Sequence, residues 1–148
     1  MSKMIGVIGS GDPSMNNHSD AYEVGRLIAE VGASLVCGGL SGIMEAASRG
    51  AYELGGTTIG ILPGDDRHQA NPYISIPISS GMGVGRNVLI VRSSDALIAL
   101  PGGSGTLSEI ALSLNIGKPV IDLGGWGIEG TISASNPEEA VELALSGL

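Results

Sequence analysis

The sequence predicts a doubly wound, mostly parallel α/β sheet with helices on both faces. Three observations predict it. Short apolar runs alternate with segments of helical spacing along the whole chain. The apolar runs lack the in–out alternation of half-exposed strands, as expected when both sheet faces are covered. Glycine clusters fall where each strand should end and the next helix begin.

The elements follow in order. Met4 to Ile8 is a short apolar run ending at Gly9-Ser10-Gly11 and reads as a buried strand. From Ser19 to Val31, Ala21, Val24, Leu27, Ile28 and Val31 repeat at helical spacing. Ser34 to Cys37 is a second strand, and Gly42 to Leu54 a second helix with Ile43, Ala46, Ala47 and Leu54 inward. Thr57 to Leu62 is a third strand. Pro63 to Pro72 carries Pro-Gly and Asn-Pro and reads as a polar loop. Tyr73 to Ile78 alternates and suits an edge strand. Gly85 to Val91 is a helix, Ala96 to Leu100 an apolar strand, Thr106 to Ile116 a helix, and Pro119 to Leu123 a strand. The last helix runs from Asn136 to Leu145. Asn136 is its N-cap, Pro137 its first residue, Glu138 and Glu139 its first-turn acids, and Gly147 its stop.

Composition narrows the class. The 148 residues suit one domain, 1–148, large enough to bury a core without cross-links. The one cysteine, Cys37, makes neither an internal disulfide nor a Cys-rich zinc site, and a cytoplasmic setting is expected. Seven basic residues stand against 15 acidic ones, which argues against coating a nucleic-acid polymer but allows one small phosphorylated ligand. The start reads neither as a secretory signal nor as a membrane span, and no apolar stretch reaches the roughly 20 residues a span needs. There are 25 glycines, too many for average usage, yet 43% hydrophobic residues exclude disorder, so the glycines mark special turns.

Those turns share one edge of the expected sheet, beyond the carboxyl ends of the strands, where such folds bind ligands. They are Gly9-Ser10-Gly11, Gly38-Gly39-Leu40-Ser41-Gly42, Pro63-Gly64 and Pro101-Gly102-Gly103-Ser104-Gly105-Thr106. Gly9-Ser10-Gly11 alone is explained by a tight turn. In the last cluster three glycines in four positions exceed what a turn needs, and a helix N-terminus follows, so an anion site is expected there. The dinucleotide fingerprint fails, with Ser14 at the third glycine and Cys37-Gly38-Gly39 where the ribose-binding acid belongs. No lysine follows a P-loop pattern, so P-loop chemistry fails too.

Charged residues face the same edge. Arg86 is expected in the first turn of its helix, where a cation opposes the dipole; an anionic ligand or a carboxylate partner explains it. Glu109 ends Thr106-Leu107-Ser108-Glu109, a T-x-x-E pattern that reads equally as a capping box and as a ligand-facing acid. Glu45, opening its helix, is explained by the dipole alone, with a ligand role as the alternative. His18 and His68 fall in loops on this edge without a third ligand at metal spacing, so no metal site is expected. Trp126, flanked by glycines, suits either a lid or an interface.

Pro101 to Glu109 reads PGGSGTLSE and resembles the PGGxGTxxE signature of the LONELY GUY family, often labelled lysine decarboxylases. Arg86 stands fifteen residues before Pro101, at that family's arginine spacing, and Gly38 to Ala46 is similar to its second glycine turn. The resemblance covers nearly the whole chain. It implies a Rossmann-like nucleotide-binding domain, a homodimer or larger assembly, and hydrolysis of the N-glycosidic bond of nucleoside 5′-monophosphates without a cofactor. It further implies Arg86 and Glu109 as the catalytic pair. Gly102, Gly103, Gly105 and Thr106 would hold the phosphate, and the turns at the ligand edge add Gly9, Ser10, Gly38, Gly39, Gly42, Glu45 and Ser104 as expected ligand contacts. Two departures stand out. The family's enzymes carry Arg-Lys where this chain has Arg86-Asn87, and Gly-x-Met-Gly where it has Gly42-Ile43-Met44-Glu45. The chain looks more like a compact branch similar to the molybdenum-cofactor carriers, so a non-catalytic carrier of that or a related phosphorylated cofactor is the second expectation. Pyridoxal chemistry is excluded, because a Schiff-base lysine is required and only Lys3 and Lys118 exist, both expected at the opposite sheet edge.

Overall fold

The computed structural model describes residues 1–146. Among the described residues, seven strands form one sheet, and every neighbouring pair is parallel. In chain order they are β1 (Met4–Ile8), β2 (Ser34–Cys37), β3 (Thr58–Leu62), β4 (Ile76–Ser79), β5 (Ala96–Ala99), β6 (Val120–Asp122) and β7 (Ile132–Ser133). The spatial order is β4-β3-β2-β1-β5-β6-β7. The chain winds outward from β1 to β4, then crosses back to the other side of β1. The switch point therefore lies between β1 and β5, where open α/β sheets leave a crevice.

The described α-helices covering the sheet are α1 (His18–Glu30), α2 (Ile43–Glu53), α3 (Asn87–Ser93), α4 (Ser104–Asn115) and α5 (Pro137–Ser146). The strands' side chains divide between two apolar layers. Ile5, Val7, Leu35, Ile98 and Leu100 pack with α1, α2 and α5 through Val24, Ile28, Ala47, Ala51, Ala140 and Val141. Ile8, Val36, Ile61, Leu97 and Ala99 pack with α3 and α4 through Ile90, Val91 and Ile110. With no phenylalanine, aliphatic side chains fill both layers. Helices α1 and α2 approach so closely that a Cβ at Gly25 would lie 1.8 Å from the Ala47 carbonyl oxygen, and one at Gly50 would lie 2.0 Å from that of Tyr22.

Several expected boundaries shift for physical reasons. Helix α4 begins at Ser104, two residues before Thr106, with Gly103 at its N-cap and no side-chain cap. Thr106 is thus already inside the helix, and the T-x-x-E capping box does not form; Glu109 turns into the protein and is 7% exposed. The expected helix from Gly85 divides into a 3-10 turn, Gly83–Arg86, followed by α3. Arg86 is therefore the residue that precedes α3, rather than a member of its first turn. Strand β7 was not expected, since its two residues carry too little pattern to register. Strand β4 is the edge strand anticipated, with Ile76 and Ile78 exposed. The Asn136 cap forms, its Oδ1 accepting from the Glu139 amide at 2.8 Å; Gly147, the expected stop, lies outside the described residues. Lys3 precedes β1, and Lys118 donates from Nζ to the Ser94 carbonyl at 2.7 Å, so both lie at the amino edge of the sheet. No described helix is long and apolar enough to cross a membrane.

Candidate functional site

At the switch point the glycine turns are tied to each other. The Ser10 amide donates to the Pro101 carbonyl at 2.9 Å, joining the turn after β1 to the turn after β5. The Ile43 amide donates to the Ser10 carbonyl at 2.9 Å, and Ser41 Oγ to the Gly11 carbonyl at 2.7 Å, joining the turn after β2. Between them lies a cavity of about 200 Å³. Backbone from Gly9 to Gly11, Gly38, Gly103, Gly105 and Thr106 lines one part of it, and Met44, Arg86, Asn87 and Glu109 line another. The start of α4 opens here, presenting first-turn amides that have no acceptor within the helix and the positive end of its dipole.

Arg86 is held on two sides. Its Nε donates to the Ile61 carbonyl at 2.9 Å, and its Nη1 donates to Asn87 Oδ1. Asn87 Nδ2 in turn donates to Ser108 Oγ at 3.4 Å, and Ser108 Oγ donates to the Gly105 carbonyl at 2.7 Å. The guanidinium is thereby connected to the turn that opens α4. Glycine at 38 makes room for it, since a Cβ there would lie 2.6 Å from Arg86 Nη2 and 2.7 Å from Met44 Sδ. Burial pulls the Arg86 guanidinium below its usual pKa, opposed by the charge of Glu109. Burial raises the Glu109 carboxyl to about 7, and the field of Arg86 offsets only part of that rise. This acid sits where a ligand can reach it and can change protonation near neutrality, which is what general acid–base work requires.

The remaining candidates separate by position. Gly9, Ser10, Gly38, Gly103, Gly105 and Thr106 line the Arg86 cavity. Gly102 lies behind it, on a shallow hollow shared with Pro101 and Trp126; a Cβ there would meet Thr106 Oγ1 at 2.2 Å. Ser104 is the first residue of α4. Gly39, at φ +78°, packs on β3, where a Cβ would meet Leu62. Gly42 and Glu45 face a separate groove between α1 and α2, which His18 also lines. His68 is exposed beside Asp66. Cys37 is buried, its thiol pushed up in pKa by that burial.

Sequence reasoning missed two supports. Asn87 was noted only as a departure from Arg-Lys, yet it braces Arg86. Asp122, buried at the end of β6, accepts from the amides of Gly124, Trp126 and Gly127. Trp126 Nε1 then donates to the Leu100 carbonyl at 3.0 Å, just before Pro101, which makes this indole a fixed support of the turn. The acid at a strand end followed by two glycines was the available signal.

This is a Rossmann-like α/β protein with a crevice at its topological switch point. The chain belongs to the SLOG cluster 4 family, whose model matches residues 2–145. Its fold is similar to the molybdenum cofactor binding protein of Rippkaea orientalis, at 40% identity and TM-score 0.92 over 97% of this chain and 95% of that one. It is similar also to the molybdenum cofactor carrier protein of Chlamydomonas reinhardtii, at 36% identity and TM-score 0.87 over 97% and 96%. Among curated relatives, a probable cytokinin riboside 5′-monophosphate phosphoribohydrolase of rice is 37% identical over 61% of this chain. That match spans only 38% of the rice protein's own length.

Proposed function

We propose that the Arg86 cavity binds the phosphate end of a nucleotide-like ligand, and that the protein hydrolyses the N-glycosidic bond of a nucleoside 5′-monophosphate. The convergence of Arg86 and Glu109 on one cavity carries this reading. In it, amides of Gly103, Ser104, Gly105 and Thr106 hold the phosphate at the start of α4, as helix N-termini hold anions. The Arg86 guanidinium grips phosphate or ribose oxygens through charge-assisted hydrogen bonds. Glu109, as carboxylate, stabilises the positive charge that develops on the ribose as the bond to the base breaks. It also takes a proton from the attacking water. Water's oxygen bonds to C1′, the C1′–N bond breaks with its electron pair going to the base, and the proton Glu109 took from water is passed to the departing base, which restores the carboxylate. The products are free base and ribose 5-phosphate. The residues used are all in the chain, and the reaction calls for no cofactor.

A second reading has its own support. The similarity to the two molybdenum-cofactor proteins extends over nearly the full length of all three chains, whereas the rice relative matches only in part. Asn87 in place of lysine also leaves Arg86 as the only cationic side chain lining the cavity among the described residues. In this reading the cavity holds the phosphate of molybdenum cofactor, or of a related phosphorylated cofactor, as cargo. Glu109 then tunes the charge of the site without turning anything over.

Incubation with a panel of nucleoside 5′-monophosphates, with Glu109→Gln alongside, separates the two. Free base released by the wild type and not by the variant supports the hydrolase. Binding without release, alike in both proteins, assigns the carrier role. We further propose a homodimer or larger assembly in the cytoplasm.

A further inference from the structure

We propose that Met44 is an oxidative modification site, and that its sulfoxide closes the Arg86 cavity to phosphate. This control of the cavity rests on the reading that it takes a phosphate-bearing ligand. Met44 is the second residue of α2. It packs in the apolar layer of α1, α2 and α5, yet it also lines the Arg86 cavity and is 8% exposed. No other methionine among the described residues lines that cavity.

Two glycine turns leave room for this side chain. A Cβ at Gly11 would lie 3.4 Å from Met44 Cε, and one at Gly38 would lie 2.7 Å from Met44 Sδ. The same Cβ at Gly38 would lie 2.6 Å from Arg86 Nη2. Sulfur and guanidinium therefore flank one narrow space. Arg86 donates from Nε to the Ile61 carbonyl and from Nη1 to Asn87, while Nη2 has no acceptor among the described residues. Nη2 is thus the donor left for a ligand oxygen, and a thioether stands beside it. A thioether is a weak acceptor, so the reduced side chain leaves the guanidinium available.

Oxidation reverses that. A hydroperoxide gives its terminal oxygen to Sδ: the S–O bond forms, the O–O bond breaks, and the sulfur gives up two electrons. The remaining oxygen takes up the proton and leaves as an alcohol, or as water when the oxidant is hydrogen peroxide. The thioether becomes a polar, chiral sulfoxide whose oxygen accepts hydrogen bonds strongly. On Met44 that oxygen enters the space that Nη2 faces and accepts from it, in the place of a ligand oxygen. In a cavity of about 200 Å³ it also takes room from the ligand. Bound phosphate and the sulfoxide therefore exclude each other.

The full chain is treated with hydrogen peroxide, and mass spectrometry of tryptic peptides follows each methionine; Met44 is the only one between Arg26 and Arg49. Calorimetry with ribose 5-phosphate reads the cavity. Phenylglyoxal labelling of Arg86, with no ligand present, reads the guanidinium directly. Bound ribose 5-phosphate should slow oxidation at Met44 and leave that at Met15, outside the cavity, unchanged. Once Met44 is converted, affinity for ribose 5-phosphate should fall by about tenfold or more, and labelling of Arg86 should slow severalfold. Met44→Leu conserves volume without the sulfur. Compared with its own untreated form, it should show neither loss under the same peroxide. Circular dichroism verifies that the treated proteins stay folded. Several results would each overturn the proposal: Met44 unconverted after Met15 is fully oxidised, no protection by ribose 5-phosphate, unchanged affinity or Arg86 labelling at full conversion, unfolding on conversion, or the same losses in Met44→Leu. If the untreated protein does not bind ribose 5-phosphate, the phosphate reading of the cavity falls, and Arg86 labelling alone decides whether the sulfoxide engages the guanidinium.

Discussion

Arg86 and Glu109 line one cavity and shift each other's pKa, yet they form no direct ion pair. Each is anchored elsewhere: Arg86 by the Ile61 carbonyl and Asn87, Glu109 by its place inside α4. The space between opposite charges is what a ligand can occupy. A closed ion pair would have to open first, at a cost in desolvated Coulomb energy.

The first prediction concerns protonation and rate. With Glu109 raised to about 7 and working as a carboxylate, kcat/KM for a nucleoside 5′-monophosphate should climb as pH passes from 6 through about 7, then level. The climb should vanish in Glu109→Gln along with the activity. A rate that is flat across neutral pH would remove Glu109 from the proton-transfer role.

The same shift predicts a stability difference. Glu109 titrates higher when folded than the ordinary value of 4.5, so the folded state binds its proton more tightly. The favourable contribution is complete below pH 4.5 and is lost as pH rises to about 7. Compared with Glu109→Gln, the wild type should lose about 3 kcal/mol between pH 4 and pH 8. Denaturant unfolding of both proteins at the two pH values measures this, and parallel curves would show that the carboxyl is solvated in the folded protein.

Gly38→Ala places a methyl group against Arg86 Nη2 and Met44 Sδ. The guanidinium must move, so phosphate-ligand affinity should fall by about tenfold or more while the fold survives. Calorimetry with a nucleoside 5′-monophosphate reads the loss. Unchanged affinity would mean that Arg86 does not hold the anion.

Asn87→Ala removes one of the two anchors of Arg86 and its connection through Ser108 to the α4 turn. The Ile61 bond remains, so the loss should be smaller than for Arg86→Ala, about threefold to tenfold in kcat/KM. Asn87→Asp should cost more, because it adds a second negative charge beside Glu109. If Asn87→Ala matched the wild type, the brace would be of no consequence.

Assembly can be read from exposed apolar surface. The segments that carry Arg86 and Glu109 also carry Met82, Val84 and Leu107, which are 48%, 86% and 45% exposed. Burial of these side chains against a twin subunit is the expected outcome, and light scattering should report a dimer or larger. Val84→Asp should shift the population towards monomer. A monomeric wild type at micromolar concentration would refute the assembly.

Much of this molecule was legible in its residues. The order of strands and helices followed from apolar runs and glycine punctuation, because a buried parallel strand must be continuously apolar and a tight βα turn must be small. Arg86 stood out because a helix start does not ask for a cation, and PGGSGT because it holds more glycine than a turn needs. Other features depended on tertiary contacts. Glu109 read equally as a cap and as a site acid; the choice followed from where α4 begins, which burial decides and local propensity does not. Gly42 and Glu45 looked like part of the same anion site, but the β1 turn, tied to α2 through Ser10 and Ser41, separates them into another groove. Asn87 accepts from its neighbour Arg86 and reaches Ser108, 21 residues on; Asp122 gathers amides two to five residues away, and the Trp126 it positions reaches Leu100, 26 residues back. Patterns of hydrophobicity and turn chemistry are local and survive in one dimension. Which side of a turn a residue faces, and what braces it, are set only when the sheet closes over its helices.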